Sequence, residues 1–406
     1  MSEAPSVRIR RFTGEDRLPE AYADFFLGLE KGDATCGLAW LDNFRRGRVL
    51  PGSQFRLYAL EETAQGRPLM CLPAVYSRLY AAHPRARVVH FLQPDGDAYE
   101  PIALPEAAGD ACVSMLFAFL GGEDPRCEVL RFSPLDPQSP FAAGLIRTLR
   151  EMRWPRRVEH MPPERYLDIA GGDHAQIMKG RPPALRARLE AAARALLDTG
   201  RASFRLISDA ADVGRAWSDY CAILGEDRLS MDGDAPDYIE GVMRVASDAG
   251  TLRVGILDLD GAPASVQVWR LSGAGARCLR LWTNPARSEP GLSDLLTAYM
   301  TRRLIDDERA GALYFGPVTE SFAADWASAA SPRIEVIAFN PRTVRGVRGA
   351  IRHLAVGALR AAWRRGRRAL SGCREGRAGH GCREILQTGS LHPIRRRCLW
   401  PGKLVF

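Results

Sequence analysis

NPARSEPGLSDLLTAYMTRRLIDDERAGALYFGPVTESFAADW, residues 284–326, decides how the rest of the chain is read. Leu292, Leu295, Leu296 and Tyr299 recur at helical spacing after Gly291, so Gly291 stands where loop becomes helix. Ala312 to Phe315 then reads as a short buried strand, and the segment after it as a polar turn closing on Asp325-Trp326. The unpaired N–H groups and positive dipole end of such a helix start suit an anion such as a pyrophosphate. The same letters also describe an ordinary helix start after Pro-Gly, and both readings stand at this point.

Outward from this stretch the chain falls into two halves with a similar order of elements. The second half has strands near Ser203–Ile207, Leu252–Asp258, Ala264–Leu271 and Arg277–Thr283, with Asp260-Gly261 as a hairpin turn and Arg333–Phe339 as a last strand. The first has a helix near Gly37–Arg45, strands at Phe55–Leu60 and Pro68–Val75, and a loop rich in Asp, Gly and Pro from Pro94 to Pro101. A helix about Ala107–Leu120, a strand Cys127–Phe132 and a helix Phe141–Met152 follow. Strand pair, loop, helix, strand in both halves argues for an α/β (α+β) protein of two related domains, 1–165 and 166–340, each a mixed twisted sheet flanked by helices. Between them Pro182-Pro183 starts a helix with Leu185, Leu189, Ala192 and Leu196 on one face and Arg186, Arg188 and Arg194 around the rest, stopped by Gly200.

With 406 residues, 46% of them apolar, the chain can bury two ordinary cores. Residues 341–406 hold sixteen Arg or Lys against two Glu, or +14, leaving 40 basic against 46 acidic residues, or −6, in the body. The tail is therefore a third region. Val344, Val347, Ile351, Leu354, Ala358 and Ala361 trace a helical stripe through Val344–Leu370 with arginines around it, which fits an anionic membrane surface, with Trp363 at the headgroup boundary. Since 53 of the 56 basic residues are Arg, a compositional bias of the coding sequence explains the tail as well. Residues 372–406 read as disordered, and nucleic acid is a weaker partner because stacking aromatics are absent.

No run nears the roughly 18 apolar residues of a membrane span, and the N-terminus lacks a signal pattern, so the expected location is cytoplasmic, or peripheral on the inner membrane. Of nine cysteines, six are scattered singly without metal spacing, and Cys373, Cys382 and Cys398 are too irregularly placed for zinc. No metal is expected. G-x-S-x-G, Walker and H-E-x-x-H motifs are absent, which leaves chemistry that needs no covalent nucleophile.

Pro183 to Gly200, Ala202–Ile207, the strand from Gly261 through Val268, Glu289–Leu292 and Phe315-Gly316 through Asp325-Trp326, taken in order, resemble one family. The chain is similar to CelD/BcsL-type proteins of the GNAT acyltransferase superfamily, the group with a BioF2-like acetyltransferase domain, related to the FemAB transferases. The resemblance covers most of 36–340 and implies tandem GNAT-like halves and an acetyl- or other acyl-CoA-dependent N-acyltransferase acting on an amine, such as that of an amino sugar or envelope precursor. A FemAB-like transfer from charged tRNA and a catalytically silent binding protein are the alternatives. The family's final turn usually carries Tyr and Lys where this chain has Phe322 and Ala323, which removes a thiolate protonator and a cation.

The resemblance implies that Gly291 and Leu292 amides hold the cofactor pyrophosphate, with Arg287 as charge partner, and that the strand through Leu281 and Trp282 lends an N–H to the thioester carbonyl. Glu320 and then Asp325 are the expected bases, Asp325 being equally readable as a turn cap beside Trp326. Asp97, Tyr99, Arg186 and Trp326 are the expected substrate contacts.

Overall fold

Among the described residues thirteen strands join one mixed sheet in the order β1-β2-β3-β4-β6-β13-β7-β12-β11-β10-β9-β8, with β5 paired to β3. This is a computed structural model, and it describes residues 7–30, 33–78, 86–91, 97–104, 110–169, 171–225, 236–273, 275–316 and 318–353. The first half comprises β1 (Val7–Thr13), α1 (Glu20–Glu30), α2 (Leu38–Arg48), β2 (Gln54–Glu62), β3 (Pro68–Ser77), β4 (Val88–Phe91), β5 (Ile102–Ala103), α3 (Asp110–Gly122), β6 (Val129–Leu135) and α4 (Pro140–Glu151). After β7 (Arg156–Asp168) come α5 (His174–Lys179), α6 (Pro183–Ala192), β8 (Ala202–Ile207), α7 (Val213–Leu224), α8 (Pro236–Asp248), β9 (Leu252–Leu259), β10 (Ala262–Ser272) and β11 (Gly275–Thr283). The chain continues through α9 (Leu292–Arg302), β12 (Ala312–Tyr314), α10 (Glu320–Trp326) and β13 (Ala329–Phe339), and residues 344–353 form α11.

Each half repeats one plan. An antiparallel meander ends in a strand that runs parallel to the next after a helical crossover: β4 beside β6 across α3, and β11 beside β12 across α9. Both faces of each half are covered by helices. In the first, Val113, Phe117, Leu145 and Leu149 of α3 and α4 bury one face, and Phe25, Phe26 and Leu41 of α1 and α2 the other. In the second, Leu185 of α6 with Leu295, Leu296 and Met300 of α9 covers one face, and Tyr220 of α7 with Met243 of α8 the other.

The halves exchange their last strands. β7 follows the helices of the first half but pairs with β12 of the second, Tyr314↔Tyr166 to Ala312↔Asp168. β13 follows the second half and pairs with β6 of the first, Ile334↔Leu135 to Phe339↔Val129. Where they meet, β7 and β13 pair with each other from Ala329↔Tyr166 to Ala338↔Arg156. The expected boundary after residue 165 therefore falls inside a strand of the shared sheet.

Two local expectations change. Residues after Thr319, read as a polar turn, form α10, because the Thr319 side chain accepts the Phe322 N–H and Glu320 occupies the first turn. The tail helix begins at Val344 as expected and is described to His353; Leu354 to Leu370, the segment 372–406 and the three tail cysteines lie outside the described residues.

Candidate functional site

The start of α9 is built around Gly291, whose φ of +81° is a left-handed conformation that favours glycine. A Cβ there would also stand 2.7 Å from the Ala192 Cβ, so α6 closes against the helix start at van der Waals contact. The Leu292 amide already donates to Glu289 O at 3.2 Å, and the Leu292 side chain is buried in the core. Donors for an anion at this point are thus the amides further into the first turn, those of Ser293 and Asp294, which have no carbonyl one turn back within the helix. Arg287 is exposed on the short turn Pro285–Arg287 just before it.

A charged relay ties α9 to α6 and α10. Arg188 Nε donates to Asp294 at 3.2 Å and its Nη2 to Asp325 at 2.7 Å, while the Trp326 indole N–H donates to the other Asp294 oxygen at 3.0 Å. Hydrogen bonding, to Asp325 first and Asp294 next, holds the Arg188 guanidinium above its ordinary value. Arg188 is the arginine of α6 that meets this site. Arg186, the one named as a substrate contact, is exposed with its side chain elsewhere on the helix. Trp326 is 1% exposed and packed in the core beside Phe322, so its role is to pin α10 to α9. Glu320 is 81% exposed at its side chain and ion-paired with Arg165 at 2.7 Å.

β11 and β12 pair only from Gly275↔Ala312 to Arg277↔Tyr314 and then part. β11 continues through Cys278–Thr283, with Leu281 against the core under α9 and Trp282 against the core on the other face. Gly316, at φ +65°, closes the base of the gap: a Cβ there would stand 2.6 Å from Cys278 O. In the first half β4 and β6 pair from Val88↔Val129 to Phe91↔Phe132, and an aromatic ring packs at that end. Tyr99 donates its N–H to Pro134 O at 2.6 Å, and its fully buried ring sits among Phe91, Phe132 and Phe141. Tyr99 is therefore a core residue of the first half, turned away from its loop neighbour Asp97.

Asp97 borders a cavity of about 710 Å³ between the halves. Ala276, Cys278 and Leu313 face the core under α9, so their alternates Arg277, Ala312 and Tyr314 point to the opposite face of the sheet, into this cavity. Its wall is ionic. Asp97 pairs with Arg270 at 2.6 Å and with Arg277; Glu164 of β7 pairs with both Arg277 and Arg333. Arg270 lies over Trp40 at 5.0 Å and Arg277 over Tyr314 at 4.9 Å. Asp33, Glu100 and Asp136 line the other side, giving five carboxylates against three guanidiniums in and behind the wall.

These surroundings set the protonation of the lining groups. Burial, and after it the neighbouring Asp136, raises the Glu100 carboxyl above its ordinary value against a bond from Ser139 that lowers it. Burial, with Glu164 behind it, raises the Tyr314 hydroxyl, which stays a proton donor at neutral pH. Burial, then Asp33, pushes the Cys36 thiol up to about 11, which keeps it un-ionised. For Arg277 burial works downward, but Asp97 and Glu164 outweigh it and leave the group raised. Glu164, Arg277, Tyr314 and Arg333 are not singled out by the sequence; a signal existed for Arg277 alone, a charged residue inside an otherwise apolar strand, which must be paired. No group of His, Cys, Asp and Glu suited to a metal occurs among the described residues.

Comparison with known proteins bears on the second half directly. Residues 183–324 match the family model of an acetyltransferase (GNAT) domain. That match lies within the second half and says what this half is similar to. No curated protein matches the chain. Among solved structures, the C-terminal domain of a proposed lysylphosphatidylglycerol synthetase from Agrobacterium fabrum is similar, with a TM-score of 0.51 at 12% identity, over 83% of this chain and 95% of that one. FemX matches with a TM-score of 0.51 at 9% identity, over 82% and 98%. A conserved protein of unknown function from Bacteroides thetaiotaomicron matches with 0.51 at 10%, over 80% and 98%. At these identities the likeness is one of fold, and it spans both halves.

Proposed function

We propose that the chain is an acyl-CoA-dependent N-acyltransferase with one working cleft, in its second half, and an acceptor amine held in the cavity between the halves. The observation that carries this reading is the parting of β11 from β12 just beyond Arg277 and Tyr314, followed by the α9 start, inside the segment that matches the GNAT domain. Cofactor phosphates at the first turn of α9 meet the Ser293 and Asp294 amides and the Arg188 and Arg287 guanidiniums; the free edge of β11 offers an amide to the acyl carbonyl. The Asp294 carboxylate opposes that charge and is offset by Arg188.

The cavity opens on the other face of the same strands. Its surplus of carboxylates suits an acceptor that arrives as an ammonium, an amino sugar or envelope precursor with an uncovered amine, better than one dominated by nucleotide phosphate. Glu100 takes the amine proton, because its raised carboxyl lies closer to neutral pH than that of an ordinary exposed acid. Tyr314, the last paired residue before the gap, donates a proton to the departing sulfur and so fills the place left by Phe322. Glu320, exposed, and Asp325, half-buried, are both paired with arginines and rank below Glu100.

Titration calorimetry with acetyl-CoA and with free CoA tests the reading. Ser293→Asp puts a carboxylate in the first turn of α9, where the helix dipole tolerates it, and is expected to weaken binding at least about tenfold with the fold intact. Gly291→Asp is a poorer probe, since the left-handed backbone and Ala192 both resist it. No binding by the wild type would leave a silent scaffold as the better description. Binding with no turnover on any amine would do the same for the chemistry.

A further inference from the structure

Ten residues past the last strand carry an inference independent of the acyltransfer reading. Within α11 the residues sort into three arcs. Gly346, Gly349, Ala350 and His353 face the body: a Cβ on Gly346 would stand 2.3 Å from Asn340 O, one on Gly349 3.1 Å from the Phe339 ring, and the His353 and Phe339 rings lie 5.4 Å apart. Ala350 is buried with Ile337 and Phe339. These glycines are contact residues that lock the rotation of the helix, so the direction of its outer face is fixed.

That outer face is two-toned. Val344, Val347 and Ile351 are 76%, 40% and 64% exposed, three of the five exposed large hydrophobics among the described residues. At roughly 100° per residue they form one strip, with Arg348 and Arg352 along one flank. Arg345 leans back towards Glu128 at 3.7 Å; Arg348 and Arg352 are exposed. Leu354, Ala358 and Ala361 keep the same spacing in the sequence, and 341–406 carries +14. An apolar strip bordered by arginine on a helix is the pattern of an interfacial segment.

We propose that α11 seats the protein on an anionic lipid bilayer, with Val344, Val347 and Ile351 entering the headgroup region and Arg348 and Arg352 meeting lipid phosphates. The charge decides for lipid over a protein groove: a dense, one-signed arginine flank beside a narrow apolar strip matches a planar anionic surface.

Flotation of the full chain with vesicles tests this, using phosphatidylcholine alone and phosphatidylcholine mixed with phosphatidylglycerol. Recovery with the mixed vesicles is expected to exceed that with phosphatidylcholine alone by about tenfold, and to fall steeply with added salt. V347D/I351D is expected to cut recovery about tenfold and R348E/R352E at least as much, with thermal unfolding unchanged because all four side chains are exposed. Equal recovery on both vesicles, or binding that survives both double variants, overturns the proposal. So does nucleic-acid binding, by gel shift, that depends on Arg348 and Arg352 while vesicles are not bound.

Discussion

The two halves share a plan and differ at one joint. The first half turns Tyr99 inward and packs its ring against Phe91 and Phe132, the last described pair of its parallel strands. After β11 the second half keeps its strand going, places Gly291 at the start of α9 and closes only the base of the gap with Gly316. The first half has become a wall. Its loops supply Asp33, Asp97, Glu100 and Asp136 to a cavity whose floor belongs to strands of the second half. The difference teaches that, of two halves built on one plan, one can fill the end of its parallel strand pair with an aromatic ring and still contribute surface to a cavity shared with the other.

The sharpest way to break that comparison is to unplug the first half. Tyr99→Ala should cost about 3–5 kcal/mol in urea unfolding, the range for a large buried aromatic. Tyr99→Phe should be neutral or mildly stabilising, since the hydroxyl is buried with no hydrogen-bond partner among the described residues. Calorimetry should give one CoA per chain for the wild type; a stoichiometry of two would mean the first joint still works.

Next in size is the wall itself. Glu164→Gln leaves Arg277 and Arg333 buried with a lost counter-charge and should cost about 3 kcal/mol. Because Glu164 stands on the exchanged strand β7, both halves should loosen in one unfolding transition. Two separated transitions would show the halves to be more independent than their shared sheet implies.

A smaller effect compares the two joints chemically. Ala323 is 4% exposed, so Ala323→Lys, which restores the family's lysine, should overpack α10 and cost about 1–3 kcal/mol by thermal unfolding. Phe322→Tyr, at a half-buried position, should leave stability within about 0.5 kcal/mol. A large gain in turnover from the tyrosine alone would displace Tyr314 as proton donor.

The smallest shift concerns Glu100. Its folded carboxyl, raised by burial and then Asp136, binds a proton more tightly than the unfolded one. The group therefore favours the fold at low pH, and that contribution is lost as pH rises from the ordinary carboxylate range through the raised folded value. Glu100→Gln should match wild type near about pH 4 and melt at a higher temperature than wild type towards about pH 8. The acid limb of kcat/KM should vanish in the same variant. A melting difference that does not vary with pH would remove Glu100 from the list of titrating residues.

Much of the fold was legible because its strands alternate and its turns are chemically explicit. Asp260 and Gly261 do take positive φ, 50° and 78°, as the Asp-Gly hairpin requires. β7 was invisible for the opposite reason: it is rich in charge and holds Pro162-Pro163, and it is a strand because β13 and β12 flank it. β1, α1, β4 and α8 were also unread, and α10 was hidden by the brevity of its cap signal. The α9 start was legible as a local pattern. The cavity was not, since Asp97, Glu164, Arg277, Tyr314 and Arg333 come from separate segments and each looks like a solvated charge or a lone aromatic until the sheet brings them together.

The exchange of β7 and β13 makes the two halves a dovetail joint. A fragment ending at residue 165 would carry a strand whose partners are in the other piece, and the remainder would present β12 and β13 with raw edges. Cut apart, each piece would carry unpaired strand edges, a template for aggregation and a match for the other piece. By its strand pairing the protein is built as one body.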